Sequence, residues 1–149
     1  MDTNSEPLAA QILWIIQRLT FHERKRVFPH GDLRLYPAEA HLMLLIDDEP
    51  DINATGMAER LRVTKGAISQ TLSRLEKKGV INKRKDPYQK NELTASFTPL
   101  GEAALEQYRE LRALLRNQYV QYFNTLSQSE REVIGQFLSH MEGILDRMS

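Results

Sequence analysis

Small, hydrogen-bonding and basic side chains lie together on one face of a predicted helix between Thr64 and Lys78. Ile68, Leu72 and Leu75 recur at intervals of four and three residues, so they share a helix face that we expect to be buried. The opposite face carries side chains that can bond to base edges or phosphates, namely Lys65, Gly66, Ser69, Gln70 and Ser73. A helix with such a face fits the major groove of DNA, which is about 12 Å wide.

Individual residues on this face suggest particular contacts. Gln70 can bond bidentately to adenine and Ser69 can reach base edges, whereas Lys65 and Arg74 are placed for guanine or phosphate. Gly66 costs a helix roughly 1 kcal/mol relative to Ala. This cost favours either a close approach of the backbone to DNA or a first turn that tolerates glycine. A solvated polar face on an ordinary core helix is the alternative interpretation.

The positive charge of the chain is concentrated around this helix. Between Arg60 and Lys90 there are ten lysines and arginines but only two acids, Glu76 and Asp86, giving a net charge of +8. The whole chain has a formal charge of zero, so the remaining residues carry −8. A neutral protein with one strongly basic region is expected to present that region to a polyanion.

The elements that would position these residues follow from hydrophobic periodicity and from capping and turn residues. In the first part of the chain we predict a helix from about residue 7 into 21–27, a break at 28–32, a helix from Pro37 to 47–50 and a short strand at Ile52. Two further helices follow at 54–61 and 65–78; Asn53 caps the first, Thr64 caps the second, and Gly79 ends the second. A hairpin from Val80 to Phe97 comes next, and the last two helices begin at 98–101 and after Ser127. The polar connection 86–91 is expected to lie outside the core.

The hairpin supplies further cations, with Lys83, Arg84 and Lys85 in one arm and Lys90 near its tip. Such cations suit the phosphate backbone and the minor groove, although lysines also protect the edges of sheets. The candidate DNA-binding residues are therefore Thr64, Lys65, Gly66, Ser69, Gln70, Ser73, Arg74, Lys83, Arg84, Lys85 and Lys90.

The first helix and the last two are strongly amphipathic and lie outside the basic region. A small winged module does not need so much additional apolar surface for its own core. We therefore expect residues 1–36 and 100–149 to form a dimerisation region and residues 37–99 to form a DNA-binding lobe. Packing of these apolar stripes within one chain is the alternative.

Composition excludes several classes of function. The chain has no cysteine, so disulfides, thiol redox sensing and cysteine zinc sites are excluded. The four histidines show no spacing typical of a metal site, and no cofactor or metal is predicted. No apolar run is long enough to span a bilayer, and residues 1–7 lack the pattern of a secretion signal, so we expect a cytoplasmic protein that does not engage membranes. No nucleophile is paired with a base, and we predict no enzymatic activity.

The order and motifs of these segments resemble the MarR family of transcription regulators over essentially the whole chain. The resemblance rests on MAERLRVTKGAISQTLSRLEKKGVI at 57–81, KRKDP at 83–87 and LTASFTPLG at 93–101. It implies a mainly α fold, a winged helix-turn-helix in the order α-α-β-α-α-β-β-α-α. It also implies a homodimer that binds a near-palindromic double-stranded operator, more often as a repressor.

One part of the wing departs from the family pattern. Family wings commonly carry an acid and an arginine just after the Asp-Pro pair, whereas this chain has Tyr88-Gln89-Lys90-Asn91. Lysine lacks the planar fork that inserts well into the minor groove. We therefore expect a weaker wing contribution, or one shifted to Arg84 and Lys85.

Many members of the family bind a small aromatic or phenolic anion between the dimerisation helices and the DNA-binding lobe. Candidates for lining such an effector pocket here are Trp14, His22, His30, Arg34, Tyr36 and His41. Burial of Trp14 in a dimer core and ordinary surface positions for the histidines are the simpler explanations. A winged-helix module that binds protein, or DNA without sequence preference and without an effector, is the alternative function.

Overall fold

A computed structural model of the chain describes residues 5–25 and 27–148. The backbone forms two compact units, Met1–Thr98 and Pro99–Ser149. The first unit contains α1 (Ser5–Lys25), β1 (Phe28–His30), β2 (Leu33–Leu35), α2 (Pro37–Asp48), α3 (Ala54–Leu61), α4 (Lys65–Lys77), β3 (Ile81–Lys85) and β4 (Leu93–Phe97). The second contains α5 (Pro99–Asn124) and α6 (Gln128–Met148). The predicted mainly helical, winged helix-turn-helix fold is therefore confirmed.

The short strand predicted at Ile52 is absent there, and strands form instead between α1 and α2. Ile52 is not in a strand; its N–H donates to the carbonyl of Glu49 at 3.0 Å, so this segment is a turn. The predicted break after α1 instead contains an antiparallel hairpin, in which Phe28 pairs with Leu35 and His30 with Leu33. Gly31, with φ +56, allows the tight reversal between these strands.

The core of the first unit lies among α2, α3 and α4 and extends to the start of β3. Its largest fully buried apolar side chains are Leu35, Leu42, Met43, Met57, Ile68, Leu72, Leu75, Val80 and Ile81. The apolar face predicted for α4 is thus confirmed. Because three residues of α4 are fully enclosed, the helix cannot rotate without exposing them to water.

The two capping residues fix where α3 and α4 begin, as predicted. The side-chain oxygen of Asn53 accepts from the Gly56 N–H at 2.9 Å, and the hydroxyl of Thr64 accepts from the Ala67 N–H at 3.1 Å. Arg62 lies between the helices in the left-handed region, with φ 52. The Arg62 N–H donates to the carbonyls of Ala58 and Glu59, so α3 ends here and α4 begins only three residues later.

The wing is the two-stranded sheet β3–β4. Gly79, with φ +75, ends α4 and turns the chain into β3. The strands are antiparallel, with Ile81 opposite Phe97 and Lys85 opposite Leu93. The hydroxyl of Thr98 donates to the Gly79 carbonyl at 2.5 Å, so the end of the wing is attached to the end of α4.

The second unit consists of two helices, α5 and α6, joined by a short turn. Ser127 and Glu130 form the predicted capping box, with the Ser127 N–H donating to Glu130 at 2.7 Å and the Glu130 N–H to Ser127 at 3.3 Å. Hydrogen bonds from the Ser127 hydroxyl and N–H hold the pKa of Glu130 below its ordinary value. Arg131 donates to the carbonyls of Phe123 and Leu126 and so joins the start of α6 to the end of α5.

The three helices α1, α5 and α6 expose large apolar side chains to solvent in the single chain. No residue of α6 is buried within its described range. The exposed large apolar side chains are Leu8, Leu13, Trp14, Ile15, Ile16, Leu19 and Phe21 in α1, Leu100, Leu114, Leu115, Tyr119, Val120 and Tyr122 in α5, and Val133, Phe137, Leu138, Ile144, Leu145 and Met148 in α6. In the described ranges, no helix combines the length and hydropathy needed to cross a membrane.

Candidate nucleic-acid interface

The solvent face of α4 carries the predicted hydrogen-bonding side chains. Ser69, Gln70 and Ser73 are exposed on the side opposite the buried Ile68 and Leu72. Neither the Ser69 side chain nor the Gln70 side chain has a hydrogen-bond partner within the part of the chain that the structure describes. Their polar groups are therefore available to an external ligand without first breaking an internal bond.

Gly66 lies in the first turn of α4, beside the capping Thr64. A Cβ atom added at Gly66 would meet only the Thr64 hydroxyl oxygen, at 3.9 Å. Packing inside the molecule therefore does not require glycine at this position. Two explanations for the glycine are left: the close approach of a ligand to the backbone, or the tolerance of a first helical turn for glycine.

Two of the predicted cations on α4 are engaged inside the molecule. The Lys65 ammonium is paired with Glu92 of the wing at 2.5 Å. Arg74 donates to the Thr71 hydroxyl at 2.9 Å, and its Nε lies 3.7 Å from the carboxylate of Glu39. A DNA contact by Lys65 or Arg74 would therefore share or replace an existing interaction.

The buried Glu39 was not predicted as a functional residue. Only 1% of it is exposed, and its carboxylate accepts from the Lys78 ammonium at 2.7 Å and from the Tyr36 N–H at 2.8 Å. Lys78 also donates to the carbonyl of Arg34 and lies over the Tyr36 ring. Glu39 thus attaches the C-terminal end of α4 to the start of α2. The Glu three residues after Tyr36 is a sequence signal for the local part of this contact, but not for the ion pairs.

The cations of the wing fall into two groups. Lys83 is held against α4, because its N–H donates to Glu76 at 3.0 Å while its ammonium lies 3.3 Å from Glu76 and from Ser73. Led by the bond from the Lys83 N–H, these contacts hold the pKa of Glu76 below its ordinary value. Arg84, Lys85 and Lys90, by contrast, are exposed to solvent. Lys83 therefore positions the wing, and the other three present charge.

Asp86 corrects the prediction that the whole connection 86–91 lies outside the core. It is only 8% exposed, and its carboxylate accepts from the N–H groups of Tyr88 and Gln89 and from the Asn53 amide. The bond from Tyr88, followed by that from Asn53, holds the pKa of Asp86 below its ordinary value. The Asp-Pro pair signals the local turn but not the bond to Asn53, which lies 33 residues away.

The candidate effector residues occupy several places in the first unit. Trp14 and His22 lie on the exposed surface of α1, with the Arg18 guanidinium 5.0 Å from the centre of the Trp14 ring system. His30 is in β1, Arg34 in β2 and Tyr36 at the cap of α2. His41 lines a cavity of about 190 Å³ to which the other five do not contribute; its lining is Ala38, His41, Leu42, Leu61, Val63, Ala67, Ile68 and Thr71. Within the described ranges, no cluster of three or more His, Asp or Glu side chains could hold a metal ion.

The geometry as a whole defines a winged helix-turn-helix protein, and comparison with known proteins agrees. A profile of the MarR family matches residues 35–90. An uncharacterised HTH-type transcriptional regulator of Bacillus cereus is 33% identical over 105 residues, 70% of this chain and 68% of that protein. The uncharacterised regulator YvnA of Bacillus subtilis is 26% identical over 101 residues, 68% of this chain and 64% of that protein. The chain thus matches about two thirds of the length of these relatives.

A solved structure shows the same fold over nearly the full length. Streptococcus pneumoniae FabT in complex with DNA has a TM-score of 0.75 and 18% identity, covering 98% of this chain and 100% of that chain. The protein described here belongs to the MarR family of DNA-binding transcription regulators. It is a regulator and not an enzyme.

Proposed function

We propose that this chain is a homodimeric, sequence-specific transcription repressor that inserts α4 of each protomer into the major groove of a near-palindromic operator. The observation that carries the proposal is the exposure of Ser69 and Gln70 on a helix whose opposite face is fully buried. A rigidly held helix with unpaired hydrogen-bonding groups can distinguish bases, because a mismatched edge leaves those groups without partners.

The charge and capping of the module support this orientation. The first turn of α4 presents backbone N–H groups and the exposed Thr64 and Lys65, which suit a phosphate. Ser73 lies one turn further along the same face as Ser69, and Arg84, Lys85 and Lys90 extend the positive surface onto the wing. Together they match the arrangement expected for base contacts by α4 and backbone contacts by the wing.

The exposed apolar stripes of α1 and α6 support a homodimer. An exposed apolar surface of this extent is unfavourable in water, and pairing with a second copy would bury it. We assign residues 1–36 and 100–149 to dimerisation and residues 37–99 to DNA binding. Two copies of α4 related by a twofold axis would then bind two half-sites about one helical turn apart.

Repression follows if the operator overlaps a promoter, because the bound dimer would exclude the polymerase. Activity on chromosomal DNA also implies the cytoplasm as the working compartment. Release by a small aromatic or phenolic effector stays a prediction, and so does each of the six candidate residues named for it.

Footprinting on the region upstream of the protein's own gene tests the proposal. We expect two protected half-sites spaced about 10 base pairs apart. Gln70→Ala should relax base preference at one position per half-site, costing about 1–3 kcal/mol of discrimination. Gln107→Ala, which removes the same exposed side chain from α5, is the matched control and should leave the pattern unchanged.

Gly66→Asp tests the approach of α4 independently of base reading. The position is open, and an acid in the first turn of a helix favours folding, so the variant should remain folded. We expect binding to be abolished by repulsion from phosphates, whereas Gly66→Ala should retain measurable binding. Uniform weak binding by the wild type, unaffected by either variant at position 70 or 66, would instead support a module without sequence preference.

A further inference from the structure

Both ends of the loop at the wing tip, residues 86–92, are attached to the first turn of α3. The loop is closed by the Asp86 N–H, which donates to the Glu92 carbonyl at 2.8 Å. The Asp86 carboxylate accepts from the Asn53 amide at 3.1 Å, and the Glu92 carboxylate accepts from the Thr55 hydroxyl at 2.8 Å. The wing is therefore held to the helices by side chains at both ends of its tip loop.

Glu92 has a further partner that Asp86 lacks. Its carboxylate also pairs with the ammonium of Lys65, the first residue of α4. The Glu92 side chain is 13% exposed and that of Lys65 is 54% exposed. Hydrogen bonds from Lys65, then from Thr55, hold the pKa of Glu92 below its ordinary value, so the carboxylate is charged at neutral pH. Glu92 thus joins three elements: the wing, α3 and α4.

We propose that Glu92 is a positioning residue for DNA binding, which fixes the wing relative to the start of α4 so that both can contact one DNA site together. The inference rests on the proposed contacts of α4 and the wing with DNA. With the wing fixed before binding, fewer conformations are lost when Arg84, Lys85 and Lys90 meet phosphates, and the affinity rises accordingly.

A simple electrostatic role for Glu92 makes the opposite prediction. If the carboxylate only neutralised Lys65, its removal would free a cation for phosphate, tighten DNA binding and steepen its salt dependence. If Glu92 positions the wing, its removal weakens binding although the protein becomes more positive. The direction of the change therefore separates the two roles.

The test compares Glu92→Ala with Asp51→Ala, which removes an exposed acid from the turn before α3, by titrating operator DNA at several salt concentrations. We expect Glu92→Ala to bind about tenfold more weakly, the loss typical of a hydrogen-bonded charged group, and Asp51→Ala to bind like the wild type. Equal or tighter binding by Glu92→Ala would overturn the proposal.

A second measurement does not depend on DNA. Amide hydrogen exchange of the free protein should show faster exchange in β3 and β4 of Glu92→Ala, with the buried turns of α4 unchanged. Glu92→Gln keeps an oxygen that can accept from Thr55 and should regain part of the protection and of the affinity. Unchanged exchange in Glu92→Ala would show that the residue does not hold the wing. This readout would survive even if the wild type proved to have no specific operator.

Discussion

Asp86 is a carboxylate whose neighbours favour its charged form over its protonated form. Three donors, the N–H groups of Tyr88 and Gln89 and the amide of Asn53, point at it. Because these bonds lower its pKa in the folded protein, folding is stabilised at pH values above the ordinary Asp pKa of roughly 4. That stabilisation is lost as the pH falls through the ordinary value and then below the lowered one.

Asp86→Asn should therefore lower the melting temperature at neutral pH, and the difference from the wild type should shrink as the pH falls below about 4. Thermal unfolding followed by circular dichroism across that range measures it. Asp51→Asn, at an exposed position in the turn before α3, is the control. A difference that stays constant with pH would contradict the role assigned to the Asp86 charge.

For individual residues, a contact could be predicted from the sequence only when its two partners lie close together along the chain. Asn53, Thr64 and Ser127 were identifiable because each caps its own helix within three residues. Asp86 and Glu92 were not, because their partners lie 33 and 37 residues away in sequence and only the fold brings them together. For the same reason the engagement of Lys65 could not be foreseen.

Among the elements, the helices were predictable and the short strands were not. The buried positions of α4 repeat with helical spacing over a whole segment, so the pattern identifies both the helix and its buried face. Strands β1 and β2 have only three residues each, and the middle residue of β1 is Pro29. Segments this short carry no alternating pattern of apolar and polar residues. An isolated apolar residue such as Ile52 is equally uninformative, which explains the misplaced strand.

The wing allows a prediction about its tip. Lys90 is exposed, and removing a single phosphate contact reduces the salt slope of DNA binding by about 1. We expect Lys90→Ala to weaken binding modestly and to reduce the slope by that amount. Arg116→Ala, which removes an exposed cation from α5, should change neither quantity. An unchanged slope for Lys90→Ala would remove Lys90 from the interface and leave Arg84 and Lys85 as the wing's cations.

For the whole molecule, the central expectation is dimerisation through the helices outside the module. Phe137 and Leu138 of α6 are 40% and 49% exposed in the single chain, so replacing both by Glu should not disturb the fold. The double variant should be monomeric in sedimentation equilibrium at micromolar concentration. Gln136→Glu adds charge to the same helix and should remain dimeric. A wild type that sediments as a monomer under these conditions would contradict the proposed assembly.

The attachment of the wing to α3 also bears on how this protein unfolds. Contacts that bridge 33 and 37 residues cannot survive once the helices separate, and they form late because long loops must close first. The hairpin should therefore melt together with the helical core in one cooperative transition. Heat, denaturant or a core mutation would then abolish the base contacts of α4 and the phosphate contacts of the wing together. No partly unfolded form of the protein would keep one set of contacts without the other.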